Sequence, residues 1–171
     1  VCRAEAAGSL EAHLNEVLGQ LEALSARSGG SLKSCEGLGV LSTGIVDHRK
    51  MRVLSTNQKY DDAVDFDFSA WAEDRAGLSL RMENDARGAL LGEWRYGAGR
   101  GASNLLMVTI GTGIGFAAVT EGRLLRGAHH AGGILGGPIV VQSEGRPCTC
   151  GGRGCLESEA SGWVLPQLVR E

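Results

Sequence analysis

The sequence has no basic excess. Its 17 lysines and arginines are outnumbered by 20 aspartates and glutamates, for a net charge of −3. It therefore lacks the positive footprint that draws a domain to nucleic acid or to an anionic lipid surface. No apolar run approaches the roughly 20 residues that a helix needs to cross a bilayer. The opening residues, Val1-Cys2-Arg3-Ala4-Glu5, contain neither a start methionine nor the apolar core of a signal peptide. We expect from this a start that has been lost or trimmed. There is no repeat at a fixed period and no low-complexity tract. The cysteines do not form an even set: Cys148, Cys150 and Cys155 crowd together, while Cys2 and Cys35 stand alone. An odd, clustered set does not suit a secreted disulfide framework. It suits a metal site in a reducing, cytoplasmic setting.

What is present is a globular composition, 43% apolar and 22% charged over 171 residues, enough for one domain or for parts of two lobes. Residues 4–27 place Leu10, Leu14, Val17, Leu18, Leu21 and Leu24 at helical spacing, with Ser9 as N-cap and Gly29-Gly30 as terminator. Gly37–Leu41 reads as a short buried strand followed by a turn at Ser42-Thr43-Gly44, and residues 49–54 as a second strand. The acidic stretch 61–67 reads as a loop. Phe68–Ala76 is predicted helical and stopped by Gly77, and Leu80–Glu83 is predicted as a strand. Asp85–Tyr96 is predicted as a helix with Ala86, Ala89, Leu90 and Trp94 on one face. Gly97–Gly101 reads as a flexible joint between lobes. Asn104–Ile110 and Phe116–Val119 are predicted strands, and Glu121-Gly122 a tight hairpin. This alternation predicts an α/β protein.

Three segments carry chemistry. In Cys148-Thr149-Cys150-Gly151-Gly152-Arg153-Gly154-Cys155, glycines permit the bends that bring three thiolates onto one tetrahedral ion, and soft sulfur favours Zn2+. Three free thiols in a loop are the alternative. Glu83-Asn84-Asp85-Ala86 lies at a strand-to-helix junction, where a carboxylate is placed either to take a proton from a hydroxyl or simply to cap the helix. Gly111-Thr112-Gly113-Ile114-Gly115 turns between two strands. Its backbone N–H groups and the Thr112 hydroxyl suit a phosphate, although hairpins need glycine for their own reasons and no Walker lysine is present.

Taken in order, ENDA, VTIGTGIG and CTCGGRGCLE resemble the ROK family of repressors, open reading frames and kinases. GLGVLSTGIVD at 37–47 and LESEASGW at 156–163 extend the resemblance over most of the chain. It implies an actin-like ATPase (ribonuclease H-like) fold with two lobes, here residues 1–99 of the smaller and 100–171 of the larger. It implies an ATP-dependent, magnesium-assisted sugar kinase acting on a hexose or N-acetylhexosamine. Asp85 matches the catalytic base, Asn84 and Glu157 the residues that hold sugar hydroxyls, and Gly111, Thr112 and Gly113 a phosphate turn. Cys148, Cys150 and Cys155 match three of four zinc ligands. A homo-oligomer is also implied.

The pattern departs from the family in two places. Where members carry an AGEIGH-like segment, this chain reads Ala131-Gly132-Gly133-Ile134-Leu135-Gly136-Gly137-Pro138. The zinc-binding histidine aligns with Gly137 and the sugar-binding glutamate with Ile134 or Gly133, none of which has a ligating side chain. His129 and His130 are the nearby substitutes. The phosphate hairpin that members carry before the first helix, and their glycine-rich adenosine segment after the cysteines, find no match. We therefore expect the isolated chain to be inactive. The alternative reading is the non-catalytic sugar-sensing domain of a ROK repressor.

Overall fold

A computed structural model describes residues 9–56 and 60–169. Residues 4–8 of the expected first helix, and Cys2, lie outside the described residues. By its contacts the chain divides into two units, Val1–Asn84 and Asp85–Glu171.

In the first unit, helix α1 (Leu10–Arg27) begins where expected: Ser9 Oγ accepts from the Ala12 N–H at 3.3 Å. It is tied to helix α2 (Phe68–Ala76) by Trp71 Nε1 donating to Asn15 Oδ1 at 3.0 Å. Gly77 ends α2 in the left-handed region, φ 64°. Strand β1 (Leu38–Ser42) pairs in parallel with β4 (Leu80–Asn84), and the required crossover contains α2 and the hairpin of β2 (Ile45–Asp47) and β3 (Arg52–Ser55). β2 was not anticipated, and β3 starts three residues later than expected. The cause is local: Asp47 Oδ1 accepts from the N–H groups of Arg49 and Lys50, turning the chain, and Met51 leaves that turn at φ 51°. The acidic stretch includes a short 3-10 turn at Asp61–Ala63, and Asp62 accepts from the Leu10 N–H at 2.8 Å. Val46, Val53, Phe68, Ala72 and Met82 form the buried heart of this unit.

The second unit is a three-stranded antiparallel sheet, β5 (Leu105–Ile110), β6 (Ile114–Thr120) and β7 (Arg123–Leu124), with helix α3 (Asp85–Tyr96) on one face. Ala86, Leu90, Ala117 and Val119 are its buried core. Leu106, Val108 and Ile110 point to the other face and are exposed. The expected joint at Gly97–Gly101 is internal to this unit. Gly97 and Gly99 both donate to Glu93 O at 3.0 Å, and Trp94 Nε1 donates to Ala102 O at 2.8 Å, so the segment closes the end of α3. Residues 125–155 run without a helix or strand, held by two isolated bridges, Val140 to Cys155 and Pro147 to Arg153. Two short helices follow, α4 (Leu156–Ala160) and α5 (Leu165–Leu168), neither read from the sequence. Among the described residues, no helix is long and apolar enough to cross a membrane.

Candidate active site and cysteine cluster

Three residues of unlike role follow one another where β4 gives way to α3. Glu83 and Asn84 are buried, whereas Asp85, the first residue of α3, is exposed. Glu83 Oε1 accepts from the Asn84 N–H, and Asn84 Nδ2 donates to Gly44 O, both at 3.0 Å. Gly44 is itself obligatory: its φ is +81°, and a side chain there would run into the carbonyl of Ser55. Asp85 Oδ1 accepts from the Ala86 N–H at 2.9 Å. The Asp85 carboxylate stays open to solvent. Asn84 and Asp85 belong to different units.

The glycine turn is drawn into the second unit from three sides. Gly115 has no side chain to hold α3 away; a Cβ there would lie 3.2 Å from Ala86 Cβ and would collide with Thr109 Oγ1. The first turn of the helix that Asp85 begins therefore sits against Gly115. Behind the turn, the Gly162 N–H donates to Gly111 O at 2.8 Å and the Trp163 N–H to Thr112 O at 3.1 Å. Glu157 completes the enclosure, its Oε2 accepting from the Ile114 N–H at 3.2 Å while its own N–H donates to Gly137 O at 3.0 Å. So Gly111, Thr112, Gly113 and Glu157 come together. Ser161-Gly162-Trp163 is legible in the sequence as part of a motif, but its clamp on the turn is a backbone-to-backbone tether with no signature in residue type.

A second unanticipated residue is Arg87. It is wholly buried, and its Nη2 donates to the carbonyls of Gly132, His130 and Arg126 at 2.7, 2.9 and 3.4 Å. One guanidinium thereby gathers the loop 126–132 onto α3. The available signal was a charge three and seven residues before Leu90 and Trp94, on the apolar stripe of the helix.

The three cysteines converge, with sulfurs within 4.8 Å of one another and Cys150 Sγ 3.5 Å from Cys155 Sγ. The loop folds back through Cys148 N–H donating to Gly152 O at 2.9 Å and Gly154 N–H to Arg146 O at 2.8 Å. Cys155 is buried, Cys148 half-buried and Cys150 exposed. Burial pushes the Cys155 thiol up to about 12, with hydrogen bonds to Cys150 and Cys148 adding to the effect. Cys150 is held below the ordinary thiol value, first by its hydrogen bond with the Gly152 backbone and then by those with the two neighbouring thiols. The donor set fits three corners of a zinc tetrahedron. No histidine joins it among the described residues. Gly137, aligned with the missing ligand, packs under Glu157: a Cβ there would lie 2.9 Å from Glu157 Oε2.

Comparison with known proteins decides the family. The ROK family pattern matches residues 7–171. The chain belongs to the ROK family. A glucokinase from Thermotoga maritima is 37% identical over 134 residues, covering 78% of this chain and 42% of the glucokinase. The crystal structure of a ROK transcriptional regulator, a homologue of the E. coli Mlc protein, superposes with a TM-score of 0.78 at 25% identity, covering 94% of this chain and 39% of the regulator. A ROK glucokinase from Streptomyces griseus, crystallised with glucose and AMPPNP, superposes with a TM-score of 0.66 at 32% identity, covering 88% of this chain and 48% of that one. The fold is accordingly that of the ROK sugar kinases, the actin-like ATPase fold, and the chain spans less than half the length of these ROK relatives.

Proposed function

We propose that the chain is part of a ROK-type, ATP-dependent sugar kinase that phosphorylates a hexose or N-acetylhexosamine. The observation that carries this reading is the close approach of Gly115 to Ala86, which sets the first turn of the helix begun by Asp85 against the glycine turn of the same unit. Phosphoryl transfer is mostly positioning and charge stabilisation. In this reading Asp85 takes the proton from the attacking sugar hydroxyl, and Asn84 and Glu157 hold neighbouring hydroxyls. Gly111, Thr112 and Gly113 offer backbone and hydroxyl donors to phosphate, and magnesium travels with ATP. In this reading residues 1–99 belong to the smaller lobe and residues 100–171 to the larger. The 171-residue chain alone is not expected to turn over sugar, since it spans 42% of the Thermotoga glucokinase. In a longer protein containing it, Asp85→Asn should lower turnover by roughly 10²–10⁴-fold with sugar affinity little changed. Equal turnover with asparagine would reduce Asp85 to a helix cap.

We also propose that Cys148, Cys150 and Cys155 hold Zn2+ as thiolates, with water at the fourth corner, and hence weakly. Metal analysis after a mild chelator should find the zinc gone. One zinc per chain surviving the chelator would require a fourth protein ligand and overturn the weak-site claim.

One observation favours a second reading, a sugar-sensing domain of a ROK repressor. The Glu157 carboxylate takes the Ile114 N–H beside the turn, where it would repel a phosphate. Calorimetry on a longer protein containing the chain separates the two readings: a kinase binds both AMPPNP and sugar, a sensor the sugar alone.

A further inference from the structure

The cysteine loop carries an inference that does not depend on the sugar-kinase reading. Cys150 and Cys155 differ in setting as the two members of a reactive thiol pair do. Cys150 is exposed on a segment flanked by Gly151 and Gly152, the first at φ 91°. Cys155 is buried and anchored, because the Leu156 N–H donates to Ile139 O at 2.8 Å and Val140 bridges to Cys155. Their sulfurs are 3.5 Å apart. A disulfide needs about 2.05 Å, so the bond requires roughly 1.5 Å of approach, which the exposed, glycine-flanked side can supply. Cys148 is the poorer partner for Cys150, since a ring closed across a single intervening residue strains the disulfide dihedral.

A closed four-ligand zinc site would protect such a pair. Here the position aligned with the fourth ligand is Gly137, and no histidine joins the three sulfurs among the described residues. Three ligands hold the metal less firmly than four, so the thiols are exposed to oxidants whenever the ion leaves.

We propose that Cys150 and Cys155 form a peroxide-responsive thiol pair, with Cys150 attacking hydrogen peroxide and Cys155 resolving the product. In the first step the Cys150 thiolate attacks one peroxide oxygen. The O–O bond breaks, an S–O bond forms, and hydroxide leaves and is protonated to water. The sulfur is oxidised by two electrons to a sulfenic acid. In the second step the Cys155 sulfur attacks that sulfenic sulfur. The S–S bond forms, the S–O bond breaks, and the departing hydroxide leaves as water with the Cys155 proton. Two thiols and one peroxide give one disulfide and two waters. The exposed lone thiol of Cys35 has no partner among the described cysteines and serves as an internal control.

The test uses the purified chain, stripped of metal with a chelator, treated with one equivalent of hydrogen peroxide, alkylated, and mapped by peptide mass spectrometry. The expected product is an intramolecular Cys150–Cys155 disulfide, with Cys148 and Cys35 alkylated. Cys150→Ser, at an exposed position that should not disturb folding, should leave Cys155 reduced. Cys155→Ser should leave a sulfenic acid at Cys150 that a dimedone probe captures. A disulfide through Cys148 or Cys35, a disulfide-linked dimer, or oxidation of Cys155 that persists in Cys150→Ser would each overturn the proposal.

Discussion

The interior of each unit is stabilised by different physics. The first buries a continuous apolar cluster in which helices and strands meet through large side chains such as Phe68 and Trp71. The second has a smaller core, and its long irregular segment is kept in place by polar tethers: Arg87 on three carbonyls, the Glu157 N–H on the Gly137 carbonyl, and Arg146 paired with Glu159 at 2.8 Å. Apart from Asn84, the residues assigned chemistry lie in this second unit. Apolar packing is non-directional and forgiving of small shifts. Hydrogen-bonded tethers fix distances between particular atoms, which is what a phosphate turn or a set of thiols requires.

The largest effect is expected in the first unit: Phe68→Ala, at a side chain 2% exposed, should cost about 3–5 kcal/mol in denaturant titration. A cost under about 1 kcal/mol would mean that this cluster is not what holds the unit. Arg87→Met keeps volume and removes the donors, so it should cost about 1.5–3 kcal/mol. Its distinguishing readout is amide exchange, faster in residues 126–132 than in β5 and β6. Uniform acceleration would mean that Arg87 supports the whole unit and is no local tether. The smallest effect belongs to the surface pair of Arg75 with Glu11, 3.3 Å apart with both side chains about half exposed. Arg75→Ala should cost about 0.2–1 kcal/mol, less at high salt.

What could be read beforehand follows the same divide. Local signals were reliable: Ser9 as cap, Gly77 as stop, the stripe of α3, the apolar run of β5 and the spacing of the three cysteines are all decided within a few residues. Readings failed where hydrogen-bond pairing decides, which residue type alone does not show. Gly97–Gly101 has the composition of a joint, yet Glu93 and Trp94 fold it back as a helix end. β6 begins at Ile114, inside the apparent turn, because its pairing with Ile110 extends the ladder that far. Ile45–Asp47 is a strand only because β3 lies beside it. For the site, Glu157 was legible as a motif residue, whereas its bond to Ile114 spans 43 positions and leaves no trace in either local pattern.

Gly137 has a consequence of another kind. A Cβ at this position would press on Glu157 Oε2 at 2.9 Å and on Ile114 O at 3.1 Å. The absent side chain at 137 and the present pose of Glu157 are therefore mutually dependent. A histidine placed there would not simply add a ligand, because its Cβ would first have to shift the Glu157 carboxylate that holds the Ile114 N–H. The two positions are epistatic: the effect of any substitution at one should change sign or size with the residue at the other, as contacting sites do in double-mutant cycles. A four-ligand metal site at this loop therefore calls for paired changes at 137 and 157.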